Sequence, residues 1–363
     1  MLDQRQPRQR FSSPLMIFAE LSLTFLGLCS LLLSSAAFRV PGNATLEARQ
    51  GATFTNPLNQ DKGADPCMRF IDGQYFLTST QGGNIQMRSA TTVEGLKTAE
   101  AKILFDDDTP GRNFNFWAPE FWFLDGTWYI YYAVAGNQDD NTHRLHVLRG
   151  GTDPNDPSAG PYTYVNQLTP GNFDKWAVDG SVLEIGNQRY LVFSGLVSSS
   201  PWIQCTHIVQ LDSPTTITGD AVQISCPELD WEISGTPVQE GPEPITISGV
   251  THIVYSASHC STDDYALGML TLSSGADPMV AASWTKSPDP LFTRNDDAGV
   301  FGPGHHFMFQ KGDNFYFAYH GKPAPNLGCG NVRTTRVQPF SISGSNPVFP
   351  AAVATGVPVA EPV

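Results

Sequence analysis

The chain has 363 residues, long for one ordinary domain but within the range of large single all-β domains. Only 15% of residues are charged, and 33 Gly, 28 Pro and 11% aromatic residues favour many short strands and tight turns over long helices. A net charge of −14 would be repelled by a phosphate backbone, which argues against nucleic acid as a partner and leaves a neutral or weakly charged ligand as the better fit.

In chain order, residues 1–37 read as a secretory signal peptide. Arg5, Arg8 and Arg10 give a positive start, an apolar run begins at Leu21, and Ser35-Ala36-Ala37 offers small residues for cleavage. The alternative is an uncleaved membrane anchor, since the run approaches the length of a span. With cleavage, the protein is expected to be secreted, extracellular and free of the membrane. Residues 38–55 read as a linker, which carries a glycosylation sequon at Asn43, and residues 351–363 as a flexible tail. Of six cysteines, Cys29 falls in the leader. The five that remain are an odd number, so at least one thiol is expected to be free. Cys205 and Cys226 lie where neighbouring strands would allow a bridge, but spacing does not settle the pairing.

Between these ends a pattern recurs five times: an apolar strand, a tight turn and an aromatic-rich strand. The copies start near Ala64, Trp117, Ala177, Glu240 and Phe301, roughly 50–65 residues apart, which suits one four-stranded propeller blade each. Their turns fall at Asp72-Gly73, Asp125-Gly126, Gly186-Asn187, Ser248-Gly249 and Lys311-Gly312-Asp313. Segments such as His143–Gly151 and Cys205–Asp212 would supply outer strands. The expected architecture is an all-β, five-bladed β-propeller over residues 56–350, with a β-sandwich of five hairpins as the alternative.

Polar residues stand at the start of each copy: Asp65 in the first, Trp117 and Glu120 in the second, Asp179 in the third, Glu240 in the fourth and His305 in the fifth. Singly, each is an ordinary turn, loop or core residue. At corresponding positions of successive blades they would converge on the axis. Carboxylates gathered there repel one another and are desolvated, which keeps at least one protonated near neutral pH. Hydrolysis of a glycosidic bond needs such a pair of unlike carboxyls. Phe114, Phe116, Trp117, Trp122 and Trp176 are candidate platforms for sugar rings.

The motifs Ala64-Asp65-Pro66, Trp117-Ala118-Pro119-Glu120, Val178-Asp179-Gly180-Ser181, Glu240-Gly241-Pro242 and Gly302-Pro303-Gly304-His305, in this order, resemble glycoside hydrolase family 43. That family contains five-bladed propeller enzymes acting on arabinans, arabinoxylans and xylosides. The resemblance covers about residues 56–345. It implies an inverting α-L-arabinofuranosidase in which Asp65 is the general base, Glu240 the general acid and Asp179 the carboxylate that raises and orients the acid. Glu243 is the second candidate for the acid. Inversion implies a separation of roughly 6.5–9.5 Å between acid and base. The resemblance also puts Trp117, Phe116, His305 and Arg333 at the substrate. No cofactor is required, although His305 matches a position that in some members holds a hydrated calcium ion. His306, after His305, departs from the pattern.

The segments DPCMRF, NFWAPEFW and EGPE are most similar to the exo-acting branch that releases arabinose from α-1,5-linked arabinan. The expected partner is an arabinose-containing polysaccharide or oligosaccharide, met by a monomer. An endo-arabinanase or β-xylosidase on the same fold is the alternative. Of other classes, a non-catalytic sugar-binding propeller and a scaffold for protein partners remain, though neither needs three acids at its axis.

Overall fold

The computed structural model describes residues 51–363. It is an all-β, five-bladed propeller, opened by strand β1 (Thr53–Thr55). Blade 1 comprises β2 (Cys67–Ile71), β3 (Gln74–Thr78), β4 (Ile85–Ala90) and β5 (Lys102–Phe105). Blade 2 comprises β6 (Phe114–Leu124), β7 (Thr127–Gly136), β8 (Asp139–Arg149) and β9 (Thr163–Gln167). Blade 3 comprises β10 (Ala177–Ile185), β11 (Gln188–Ser199), β12 (Trp202–Ser213) and β13 (Thr216–Ser225). Blade 4 comprises β14 (Gln239–Ile247), β15 (Val250–Ala257), β16 (Ala266–Leu272) and β17 (Trp284–Lys286). Blade 5 comprises β18 (Phe301–Lys311), β19 (Asn314–Lys322), β20 (Thr334–Ser343) and β21 (Asn346–Val348), and β22 (Pro358–Ala360) follows it. Each blade is an antiparallel meander, and β2, β6, β10, β14 and β18 meet around the ring.

The predicted hairpin turns join the first two strands of every blade. At Asp72-Gly73 and Asp125-Gly126 both central residues have positive φ, as a two-residue turn matched to strand twist requires. Apolar side chains of adjacent blades fill the wedges between them. Tyr131 and Val147 of blade 2 pack with Leu191 and Phe193 of blade 3, and Val254 of blade 4 packs with Phe317 and Tyr319 of blade 5.

The ends of the propeller differ from expectation. Residues 53–55, assigned to a linker, pair antiparallel with residues 358–360, assigned to a flexible tail. Phe54 and Val359 are buried with Tyr75 and Tyr316 in the seam between blades 1 and 5. Arg336, itself buried, donates to the Val353 carbonyl and the Thr355 hydroxyl, and Glu361 accepts the N–H groups of Val93 and Glu94. The Asn56 amide bonds both backbone groups of Val337. A Pro/Ala/Val-rich composition concealed these anchors because isolated charged and amide side chains make most of them.

Two disulfides form, Cys205–Cys226 and Cys260–Cys329, and Cys67 is a buried free thiol. The signal peptide, Cys29, Asn43 and most of the linker lie outside the described residues. Among the described residues no helix is long and apolar enough to cross a membrane.

Candidate active site

The innermost strands owe their functional geometry to one irregularity repeated five times. Asp65 (φ 55°), Ala118 (φ 44°), Asp179 (φ 59°), Gly241 (φ 55°) and His305 (φ 45°) all have left-handed backbone. Four of them sit in β-bulges, and regular pairing resumes two residues later in all five blades, at Cys67, Glu120, Ser181, Glu243 and Phe307. Left-handed backbone costs an L-residue about 1–2 kcal/mol. Carrying that cost at Asp65, Asp179 and His305 marks a site that the surrounding fold holds in place.

The bulges define two rings around the axis. The upper ring holds Asp65, Asp179 and His305, with Ala118 and Gly241 completing it. Glu240 enters one residue ahead of the position that Asp65 and Asp179 occupy, a refinement of the simple correspondence expected from the repeats. Gly241 takes the ring position because a Cβ there would come within 3.1 Å of the His305 imidazole. The lower ring, two residues further along each strand and on the same strand face, holds Cys67, Glu120, Ser181, Glu243 and Phe307. Glu243, the second candidate for the acid, therefore lies one layer away from Asp65 and Asp179. The Ser181 hydroxyl donates to it at 3.2 Å.

A cavity of about 780 Å³ opens on the upper ring, and Asp65, Asp179, Glu240, His305, Arg333 and Trp117 all line it. The Thr80 hydroxyl donates to Asp65 Oδ2 at 2.7 Å, and Arg333 Nη1 donates to Oδ1 at 3.1 Å. His305 Nδ1 lies 3.2 Å from Asp65 Oδ1, and its Nε2 lies 4.0 Å from Asp179 Oδ1. Asp179 Oδ2 accepts the Gly241 N–H at 2.9 Å. Glu240 accepts the Tyr265 hydroxyl at 2.8 Å on Oε1 and the Gln204 amide at 3.3 Å on Oε2.

These contacts separate the carboxyls electrostatically. Burial works to raise Asp65, but Arg333, His305 and His320 outweigh it and hold the group well below the usual carboxylate range. Burial raises Asp179, and the charges of Glu240 and Asp65 add to it against His305, so Asp179 is pushed up to about 7. His305 is lowered by burial but raised more by Asp65, Asp179 and Glu240, which favours the imidazolium. His320 is pushed down to about 3 by burial and stays neutral. One carboxylate is thus kept ionised while a proton is retained a few atoms away.

The aromatic predictions divide. Phe114, Trp117 and Trp176 line the cavity. Phe116 does not: it is 1% exposed and stacks on Tyr132 in the core between blades 1 and 2. The bulge in β6 after Phe114 sends Trp117 to the cavity and leaves Phe116 on the opposite face. Trp122 lies at the far end of the axis, under the Arg69 guanidinium and bonded to Glu120. His306 is buried, faces Phe349 and is pushed down to about 3, so it belongs to the core of blade 5 rather than to the cavity. Sequence reasoning missed Trp202, Gln204, Tyr265 and His320. Trp202 stands in T-shaped contact with Trp176 at the cavity wall. None of the four lies on an innermost strand, so the repeat carried no signal for them.

An axial cavity in which buried carboxyls hold unlike charge beside aromatic walls is the working arrangement of a glycoside hydrolase. A model of glycosyl hydrolases family 43 matches residues 54–346, and the chain belongs to that family. It is 34% identical over 330 residues to an extracellular exo-alpha-(1->5)-L-arabinofuranosidase of Streptomyces avermitilis, covering 87% of this chain and 67% of the relative. A protein of the same description from Streptomyces chartreusis is 31% identical over 80% of this chain and 88% of its own length. The crystal structure of an alpha-L-arabinofuranosidase from Lactobacillus brevis superposes with a TM-score of 0.76 at 29% identity, over 84% of this chain and 98% of that one.

Proposed function

We propose that this glycoside hydrolase is a secreted, inverting exo-α-L-arabinofuranosidase that acts on arabinan or arabinoxylan. The observation that carries the chemistry is the opposed state of the carboxyls: Asp65 held ionised by Arg333 and His305, and Asp179 pushed up to about 7 beside Glu240, in one cavity. The substrate class and the extracellular setting are supported by what the two Streptomyces relatives are named for.

In this reaction Asp65 takes a proton from a water as that water attacks the anomeric carbon. Glu240 gives its proton to the glycosidic oxygen on the opposite side, and the C–O bond breaks with inversion. Asp179 holds the Gly241 N–H and so orients the strand at Glu240. Asp65 ends protonated and Glu240 ionised, and exchange with solvent resets both. Trp117, stacked on His143 with ring centroids 3.7 Å apart, offers a rigid face to the sugar.

The chemistry needs no cofactor. A calcium ion at His305 does not suit the donor set, because both ring nitrogens face carboxylates and Asp65 is already paired with Arg333. The proposed working unit is a monomer, since Asp65, Asp179, Glu240, His305 and Arg333 line the cavity from one chain.

The test is product analysis on linear α-1,5-arabinan, arabinoxylan and the nitrophenyl glycosides of α-L-arabinofuranose and β-D-xylose. Arabinose alone from linear arabinan is the expected result. A ladder of oligomers would make the enzyme an endo-arabinanase, and xylose release would make it a xylosidase. Folded protein that yields no product would leave a sugar-binding propeller.

A further inference from the structure

Of Asp65, Asp179 and Glu240, Glu240 alone has no cationic side chain within 4.0 Å among the described residues, and its partners come from outside the innermost strands. Tyr265, 0% exposed, stands just before β16 and donates to Glu240 Oε1 at 2.8 Å. Its ring is locked. It stacks on His320 at 5.5 Å with an interplanar angle of 5°. On another side Gly304 packs closely against it, since a Cβ there would come within 2.5 Å of the ring. His320 Nδ1 in turn accepts the backbone N–H of Asp65 at 3.2 Å. A pair of stacked rings therefore joins the residue proposed as acid to the residue proposed as base.

We infer that Tyr265 is the positioning residue of the acid, setting which Glu240 oxygen carries the proton and receiving the charge when that proton leaves. The phenol is pushed well above its ordinary range, first by burial and then by the charge of Glu240, so it remains an O–H donor throughout. While Glu240 is protonated, Oε1 is occupied as an acceptor. The acidic hydrogen is thereby directed to Oε2, where the longer Gln204 contact is the only competitor. As that hydrogen passes to the glycosidic oxygen, the neutral-acceptor bond from Tyr265 becomes a bond to a carboxylate. Such bonds are shorter and roughly twice as strong, so Tyr265 favours the transition state over the ground state. The inference rests on Glu240 being the acid, as proposed above.

The test is Y265F, which keeps the ring and its stacking and removes the hydroxyl. A thermal melt confirms that it folds. Acid assistance matters for a poor leaving group and little for a nitrophenolate, which departs without a proton. The expected kcat/KM on α-1,5-linked arabinobiose falls on the order of 10- to 100-fold, and that on 4-nitrophenyl α-L-arabinofuranoside falls by less than about threefold. Q204M, which removes the longer contact, does less. Equal losses on both substrates would reduce Tyr265 to a packing residue and overturn the inference. A second readout needs no turnover. With glutamate carboxyls labelled with carbon-13 and E240Q used to assign the signal, the Glu240 carboxyl resonance moves between wild type and Y265F at one pH, as loss of the Tyr265 hydrogen bond requires. An unmoved resonance would overturn the inference even in an active enzyme. If the wild type releases no arabinose yet the resonance moves, the substrate assignment falls while the hydrogen-bonding role of Tyr265 stands.

Discussion

The two axial rings are built by the same strands, two residues apart, yet only the upper one holds a carboxyl below its ordinary range. In the upper ring Asp65 is held ionised and Asp179 is pushed up to about 7. In the lower ring burial pushes Glu120 up to about 7, and burial together with the Glu120 charge raises Glu243 well above its ordinary range. Arg69 opposes both but is committed elsewhere: its Nε donates to the Phe121 carbonyl and its plane lies on Trp122. Burial and crowding suffice to make a carboxyl hold its proton. What distinguishes the ring proposed as catalytic is a guanidinium bonded to one carboxylate, Arg333 on Asp65.

The contrast breaks first at Asp65 and Glu240. D65N and E240Q are expected to lose activity on arabino-oligosaccharides by about 100- to 10,000-fold, the range of a general base or acid. For E240Q the loss on the nitrophenyl arabinoside is smaller. Steady-state kinetics on both substrates reads the difference, and wild-type rates from either variant would remove the proposed mechanism.

A smaller effect is expected at Arg333. Without its charge the Asp65 carboxyl rises, so R333Q moves the acidic limb of the pH–rate profile upward and lowers kcat/KM below that limb. A profile of unchanged shape would show that His305 and the buried position alone hold Asp65 ionised.

The lower ring should answer in stability rather than rate. Carboxyls raised in the folded protein favour the native state while protonated. Their contribution is complete below the ordinary glutamate range and is lost as pH rises through about 7. The melting temperature is therefore expected to fall between pH 5 and pH 8.5. E243Q, neutral throughout, should flatten that fall by a few degrees and leave arabinose release within about twofold of wild type. Asp179 contributes with the same sign, so some slope remains. Differential scanning calorimetry across this range decides, and an E243Q slope equal to wild type would show that the lower pair shares no proton.

The smallest signal concerns Cys67. Burial raises its thiol well above the ordinary range and closes it from solvent. A thiol reagent should leave Cys67 unmodified in the native protein and gain access to it on unfolding.

How far the sequence reached follows from where each residue lies. Hairpins were legible because Asp-Gly and Gly-Asn turns demand particular backbone angles, and five of them recur in step with apolar strands. Asp65, Asp179, Glu240 and His305 were legible as breaks in that pattern. The direction of individual side chains was not, because a bulge adds a residue and reverses every face beyond it. Phe116 and Trp122 were placed at the sugar for want of that register, and the same bulges separate Glu240 from Glu243. Tyr265 and His320 sit next to or on outer strands, where nothing in one sequence says that two rings from blades 4 and 5 will stack. The Cys260–Cys329 bridge joins loops 69 residues apart, a closure that only the propeller brings about.

The seam between the first and last blades carries a consequence for biosynthesis. Asp65 belongs to the earliest blade to emerge from the ribosome. Arg333 and His305, the cations beside it, belong to the last. The strand that closes the circle ends at Ala360, after every blade has been made. A chain that has not yet added blade 5 therefore lacks the cations that hold the proposed base ionised. The charge state proposed for the base therefore depends on blade 5, the part of the propeller farthest from it along the chain.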